Sequence, residues 1–366
     1  MLLVVFGAGA SYDSDPDHIP PDNPNERVDT LSPIEQARPP LANRLFDNRP
    51  QFLSTMGAFP ECLALIPRLR KSGVAVEKEL AKLQAEASDY PERHRQLAAI
   101  RCYLRRALWE CQDRWRGVHR GVTNYATLLD EIERWRFQVR DHICFVTFNY
   151  DTMLEEAMAQ VVRLQVHDMD SYRSWEHYSL FKLHGSIDWG RVVAGIGRQV
   201  GGPIPPYQNL ISIANPGNIT DSYLRCEFST RPTPDTGAVL FPALSIPVEN
   251  KDEFSCPHAH VTTLKGLLPD VTKMITIGWR ATEHDFLKML RASRSDVTSG
   301  IRQPLELLIV TGSKEGAEQT AKNLGDYGIE QLLEDPDRAR VTTGFTGLIN
   351  NLETLGTFLC KGLYHS

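Results

Sequence analysis

The chain has 366 residues, 42% of them hydrophobic and 23% charged, with a formal net charge of −6, so it is a globular protein able to bury a sizeable core. The acidic balance argues against a general nucleic-acid binder, and no run approaches the roughly 18 apolar residues that a membrane-spanning helix requires. The seven cysteines (Cys62, Cys102, Cys111, Cys144, Cys226, Cys256 and Cys360) form no C-x-x-C pair, so the expectation is reduced thiols in a cytoplasmic protein, without a disulfide framework or a zinc site.

Residues 2–6 form a β-branched apolar run that reads as a buried strand, closed by the turn Gly7-Ala8-Gly9-Ala10-Ser11. The next stretch, 13–40, carries seven prolines among Asp, Asn and Ser, which predicts a long loop. Its acidic start is not a calcium loop, because His18 and Pro24 stand where Gly and Glu are required. From 41 to 140 the apolar spacing turns helical. Val76, Leu80 and Leu83 share one face; Ile100, Leu104, Ala107, Leu108 and Cys111 share a second; Tyr125, Leu128, Leu129, Ile132 and Trp135 share a third. Residues 142–148 and 180–183 read as further strands, and 190–234, rich in Gly and Pro, as irregular. Apolar runs at 274–278 and 305–312 each end on a glycine and precede helical patterns at 285–290 and 317–324. Strands alternating with helices predict an α/β fold, a Rossmann-like doubly wound parallel sheet formed by 1–40 and 141–366 with a helical insertion at 41–140. In such a sheet Gly7, Asn149, Gly278 and Gly312 all fall at strand carboxyl ends, where ligands bind.

Three short motifs carry candidate chemistry. The glycine turn suits close approach of backbone to a pyrophosphate, yet Tyr12 stands where a dehydrogenase fingerprint has its third small residue, and a plain structural turn fits as well. In Thr147-Phe148-Asn149-Tyr150-Asp151 the Asn can donate and accept without titrating while the Asp orients it, or the pair simply caps the next helix. His184, at the end of an apolar run and followed by Gly185, is either a base near neutral pH or a structural histidine.

Taken together, G-A-G-x-S, T-x-N-x-D, H-G and the strand ending Ile277-Gly278 resemble the sirtuin family, in particular the sirtuin-like NADases of prokaryotic anti-phage defence. The likeness covers about 1–15, 142–190 and 240–325. It implies that Gly7, Ala8, Gly9, Ala10 and Ser11 wrap the pyrophosphate of NAD, that Asn149 and Asp151 flank the nicotinamide ribose as catalytic residues with Thr147 a cofactor contact, and that His184 is the catalytic histidine facing that ribose. It also implies cofactor contacts from Gly278, Trp279, Thr311, Gly312 and Ser313. Family deacylases carry a four-cysteine zinc module after the histidine, whereas only Cys226 and Cys256 lie in that region here. The activity implied is therefore NAD+ hydrolysis to nicotinamide and ADP-ribose without a metal, ahead of protein deacylation or of a non-catalytic NAD-binding role.

Between 93 and 120 lie eight arginines, Arg93, Arg95, Arg101, Arg105, Arg106, Arg114, Arg116 and Arg120, interleaved with Tyr103, Trp109 and Trp115. The stretch reads as a solvated helix face, or as a surface for nucleic acid or for another protein, of which the protein interface is favoured. The resemblance implies a homo-oligomer with a separately encoded sensor, such as an ATPase of the HerA type or a short Argonaute. No membrane attachment and no direct nucleic-acid binding are expected.

Overall fold

Strands that are apolar on both faces belong inside a parallel sheet, because helices cover both sides. A computed structural model describes residues 1–21, 31–70, 76–195, 210–212, 217–226, 238–247, 254–295, 305–329 and 339–360. In it β1 (Leu2–Phe6), β2 (Ile143–Thr147) and β3 (Tyr178–Lys182) are buried along their whole length. A second, antiparallel sheet is made by β4 (Gly185–Val193), β5 (Ile219–Arg225) and β6 (Leu240–Leu244), in the order β5-β4-β6. The chain then returns to the large sheet with β7 (Lys273–Ile277), β8 (Glu306–Val310) and the short β9 (Arg340–Val341).

The large sheet is parallel throughout, in the order β3-β2-β1-β7-β8-β9. The chain runs outward from β1 to β3 and re-enters beside β1 as β7, so the order reverses between β1 and β7. That reversal is the topological switch point at which doubly wound sheets bind ligands. The strands end in one row: Phe6 pairs with Thr147 and Ile277, Thr147 with Lys182, and Ile277 with Val310. The α/β, Rossmann-like expectation therefore holds.

Several local expectations change. The glycine turn leads into a one-turn helix, Ala8–Tyr12, and the proline-rich stretch contains a second, Pro33–Ala37. Proline is tolerated there because it occupies the first turn, while the Ser32 hydroxyl accepts the Glu35 N–H. Residues 22–30 of that stretch lie outside the described residues. The segment following the turn is buried rather than exposed: Asn124 donates to the Asp13 carbonyl, Trp115 to Ser14, and Thr346 to the Asp13 carboxylate. Part of the region read as irregular, Ile219–Arg225, is strand β5; its 196–209, 213–216 and 227–234 portions lie outside the described residues.

Two hydrophobic cores divide the chain differently from the sequence reading. The helix Asn124–Val139, assigned above to the insertion, packs Tyr125, Leu128, Leu129 and Ile132 into the core of the large sheet. Residues from Leu45 to Cys111 form the other core, and they share it with Val193, Phe241 and Leu244 of the small sheet. The small sheet joins the two cores, since Trp189 and Ala243 pack into that of the large sheet while Val193, Phe241 and Leu244 pack with the insertion.

Candidate functional site

The end of β2 brings four of the expected residues, Ser11, Thr147, Asn149 and Asp151, together with Tyr125, which is not among them. Asn149 Nδ2 donates to Ser11 Oγ at 2.9 Å and to the Tyr125 hydroxyl at 3.3 Å. Ser11 Oγ in turn donates to Asp151 Oδ2 at 2.7 Å and lies 3.0 Å from the Tyr125 hydroxyl. Thr147 supports the turn through its hydroxyl, which accepts the Asn149 N–H at 3.1 Å. Asp151 also accepts the Met153 N–H with Oδ1, so it braces the start of the helix Met153–Val161 and holds Ser11 at the same time. The pair is thus divided: Asp151 serves the helix start, where Thr152 is the N-cap, while Asn149 bonds Ser11 and Tyr125 and takes no part in it.

This arrangement leaves one atom over. Asn149 is 5% exposed, and its Oδ1 is buried with no hydrogen-bond partner among the described residues. Leaving such an acceptor unmet costs about 1–3 kcal/mol, which a ligand hydroxyl or a water would recover. Other buried acceptors are unmet as well, among them Asn124 Oδ1 in the Asp13–Thr346 joint, Asp188 Oδ1 and Thr276 Oγ1, but of all these residues only Asn149 belongs to the three motifs.

His184 lies in the two-residue link between β3 and β4, where Gly185 takes φ +81°. A Cβ at 185 would strike the Ala243 carbonyl oxygen, so the glycine lets the two sheets meet directly behind the histidine. The imidazole packs 4.8 Å from the ring of Phe148 and 6.3 Å from that of Tyr150. Phe148 also stacks on Trp279 at 5.5 Å, with the planes 13° apart. Phe148 thereby joins His184 to the end of β7, whereas Asn149 beside it turns toward Ser11.

The glycines are accounted for by one another. Gly278 has φ +60°, and a Cβ there would lie 2.2 Å from the Ala10 nitrogen; a Cβ on Gly7 or Gly9 would collide with the backbone of Gly278. The Gly7 N–H donates to Ile277 and the Gly9 N–H to Gly278. Of the five residues expected to wrap a pyrophosphate, Gly7 and Gly9 thus have their N–H groups engaged across the switch point, and the Ala10 N–H donates to the Gly7 carbonyl. Ala8 and Gly9 remain partly exposed, and Ala10 is buried.

On the β8 side the expected contacts have local partners. Thr311 Oγ1 donates to the Ser313 carbonyl, and Ser313 Oγ caps the helix Lys314–Gly325 by accepting the Gly316 N–H at 3.0 Å. Gly312 is exposed, and a Cβ there would meet nothing. Trp279 is buried, with its indole N–H donating to Glu283.

Three residues that the sequence does not mark as site residues support the site. Tyr125 was counted only as part of a helix face. Lys182 is fully buried, pairs with Glu155 at 2.8 Å, and donates to the Asp151 carbonyl. Tyr172 bridges that pair to Trp189, since its hydroxyl donates to Glu155 and accepts the indole N–H. The signal for Lys182 was present: a lysine inside the apolar run Leu180-Phe181-Lys182-Leu183 must have a buried acidic partner.

The arginine-rich stretch lies on the helix Glu92–His119 and is largely paired. Arg93 binds Glu86, Arg95 Glu92, Arg106 Glu110 and Arg116 Glu156. Arg105 is buried and donates to the Ile187 carbonyl, and Arg101 donates to that of Leu244. Tyr103 and Trp115 are buried instead of standing between exposed arginines.

A cleft of about 1380 Å³ lies elsewhere, between the small sheet and the helix His284–Ser295, lined by Arg191, Tyr223, His258, Lys265 and Met289 among others. None of the sequence-predicted site residues lines it, and two of its cations are paired, Arg191 with Asp221 and Lys288 with Asp285. Size favours this cleft, but the unmet buried acceptor favours the β2 end. Among the described residues no helix is long and apolar enough to cross a membrane, and no group of three or more His, Cys, Asp and Glu is placed to hold a metal.

No protein-family model and no curated protein matches the chain. Similar solved structures include a mutant of a Sir2 homologue in complex with ADP-ribose, at 13% identity and a TM-score of 0.40, covering 100% of this chain and 94% of that one. Another is a Sir2 homologue in complex with NAD, at 12% identity and a TM-score of 0.33, covering 89% of each chain.

Proposed function

We propose that the chain is an NAD+ glycohydrolase of the sirtuin-like type that serves anti-phage defence by depleting NAD+. The observation that carries the reading is the Asn149 carboxamide, held by Ser11 and Tyr125 with its buried Oδ1 unmet at the end of β2. In this reading Oδ1 accepts from a ribose hydroxyl or from the attacking water, and Asp151 fixes the turn through Ser11. His184, at the neighbouring strand end, takes the proton.

The bond broken is the one from ribose C1′ to the nicotinamide nitrogen. Nicotinamide departs with the electron pair, and the water oxygen bonds to C1′. The proton lost by that water passes to His184 and then to solvent. The pyridinium is a good leaving group, so the residues act by positioning and by stabilising the positive charge that develops on the ribose. The defence role further implies a homo-oligomer held in check by a separately encoded partner, a HerA-type ATPase or a short Argonaute being the fitting kinds.

The test is incubation of the purified protein with NAD+, alone and with the product of the adjacent gene, followed by chromatography of the nucleotides. Nicotinamide and ADP-ribose should appear in equal amounts, and Asn149→Ala should slow their release about 100-fold or more. No release under either condition, or equal rates for Asn149→Ala and wild type, would overturn the reading.

A further inference from the structure

The hydrogen bonds around Asn149 have a direction that can be worked out atom by atom. A carboxylate only accepts, so the 2.7 Å contact with Asp151 commits the Ser11 proton. Ser11 Oγ is then left with lone pairs alone for its two other neighbours, Asn149 at 2.9 Å and Tyr125 at 3.0 Å. Both must donate to it. The Tyr125 proton therefore points at Ser11, and the phenol oxygen accepts the second Asn149 N–H at 3.3 Å. Nδ2, Ser11 Oγ and the Tyr125 oxygen form a closed triangle, so the two amide protons, which diverge more widely than the two acceptors, reach them at bent angles.

Turning the amide over would set Oδ1 against lone pairs on Ser11 and Tyr125, and would leave two N–H groups facing the site. The phenol is well placed to prevent this. Its ring is 1% exposed and wedged between Phe6, at 5.2 Å, and Phe345, at 5.4 Å. Burial, and then the charge of Asp151, push its pKa well above the usual tyrosine range, so it stays a protonated donor.

We propose that Tyr125 is a positioning residue that locks the Asn149 carboxamide with Oδ1 turned toward the site. The proposal rests on the NAD+ hydrolase reading for its consequence in turnover, but its structural content stands apart from that reading. Tyr125 enters from the helix Asn124–Val139, which belongs to the crossover from β1 to β2, so the crossover itself supplies part of the site. The residue belongs to none of the three motifs.

The test uses the full-length protein with isotope-labelled asparagine, the Asn149 side-chain amide signals being identified by their loss in Asn149→Ala. In the wild type both amide protons should exchange slowly with water. Tyr125→Phe keeps the ring between Phe6 and Phe345 and removes only the hydroxyl; exchange of one Asn149 proton should then accelerate at least about tenfold. Misplacing a reacting group costs up to about 100-fold, so kcat for NAD+ cleavage should fall about tenfold while KM stays within about twofold. Should Tyr125→Phe fail to fold, 3-fluorotyrosine at position 125 keeps the shape and must shift the Asn149 amide resonances. Unchanged amide exchange in Tyr125→Phe, or unmoved resonances with the fluorinated ring, overturns the proposal. If the wild type cleaves no NAD+, the functional reading falls, and the amide measurement alone still decides the role of Tyr125.

Discussion

The carboxyl edge of the large sheet has two halves that look alike in sequence and differ in what their side chains do. On the β1–β2 half, Ser11, Asn149 and Asp151 bond to one another and to Tyr125 across long sequence separations, and one buried oxygen is left without a partner. On the β7–β8 half, Thr311 and Ser313 satisfy the neighbouring backbone, and Gly278 is packed against Gly9 and Ala10. Among the described residues the polar contacts of the strand-end residues in this second half serve the chain's own geometry, and the buried atom left over there, Thr276 Oγ1, lies within β7 and not at a strand-end motif. The comparison shows that neither a strand-end position nor an unmet buried atom marks a site alone; the β2 end is where the two coincide, at Asn149.

If that contrast is right, substitutions on the two halves should separate cleanly into effects on turnover and effects on stability. Beyond the loss of turnover expected for Asn149→Ala, the largest effect should come from Gly278→Ala. The residue has φ +60°, and its Cβ would overlap the Gly9–Ala10 backbone, so unfolding free energy should drop by about 3 kcal/mol or more in a denaturant titration. A stable Gly278→Ala protein that has merely lost NAD+ binding would break the comparison, because the glycine would then be serving a ligand.

Smaller effects should follow on the β8 side. Ser313→Ala removes a helix cap and should cost about 1 kcal/mol in thermal or chemical unfolding while leaving turnover within about twofold. Gly312→Ala, which meets open space, should change stability by no more than about 0.5 kcal/mol. A strong loss of turnover in either variant would return these residues to the site.

Much of this was legible in the chain. The inner strands show as apolar runs because a parallel sheet covered on both faces leaves no polar positions in them. Ser11, Asn149, Asp151 and His184 were visible because small or polar residues directly after such runs must lie at the carboxyl edge. Tyr125 was hidden, since its ring sits on the apolar face of its helix and periodicity is blind to where a hydroxyl points. The one-turn helices were missed for different reasons. Ala8–Tyr12 is too short for periodicity to register, whereas Ser32-Pro33-Ile34-Glu35 carried a capping signature outweighed by the surrounding prolines. The helix Asn124–Val139 followed the insertion without a break in pattern, and only its packing shows that it belongs to the large sheet.

The central claim is that the ligand lies at the β2 end and not in the cleft beside the small sheet. The most direct measurement is a crystal structure of the protein with ADP-ribose. The account predicts a ribose hydroxyl within hydrogen-bonding distance of Asn149 Oδ1, with Tyr125 and Ser11 unmoved. ADP-ribose bound only among Arg191, Tyr223 and Lys265 would contradict it.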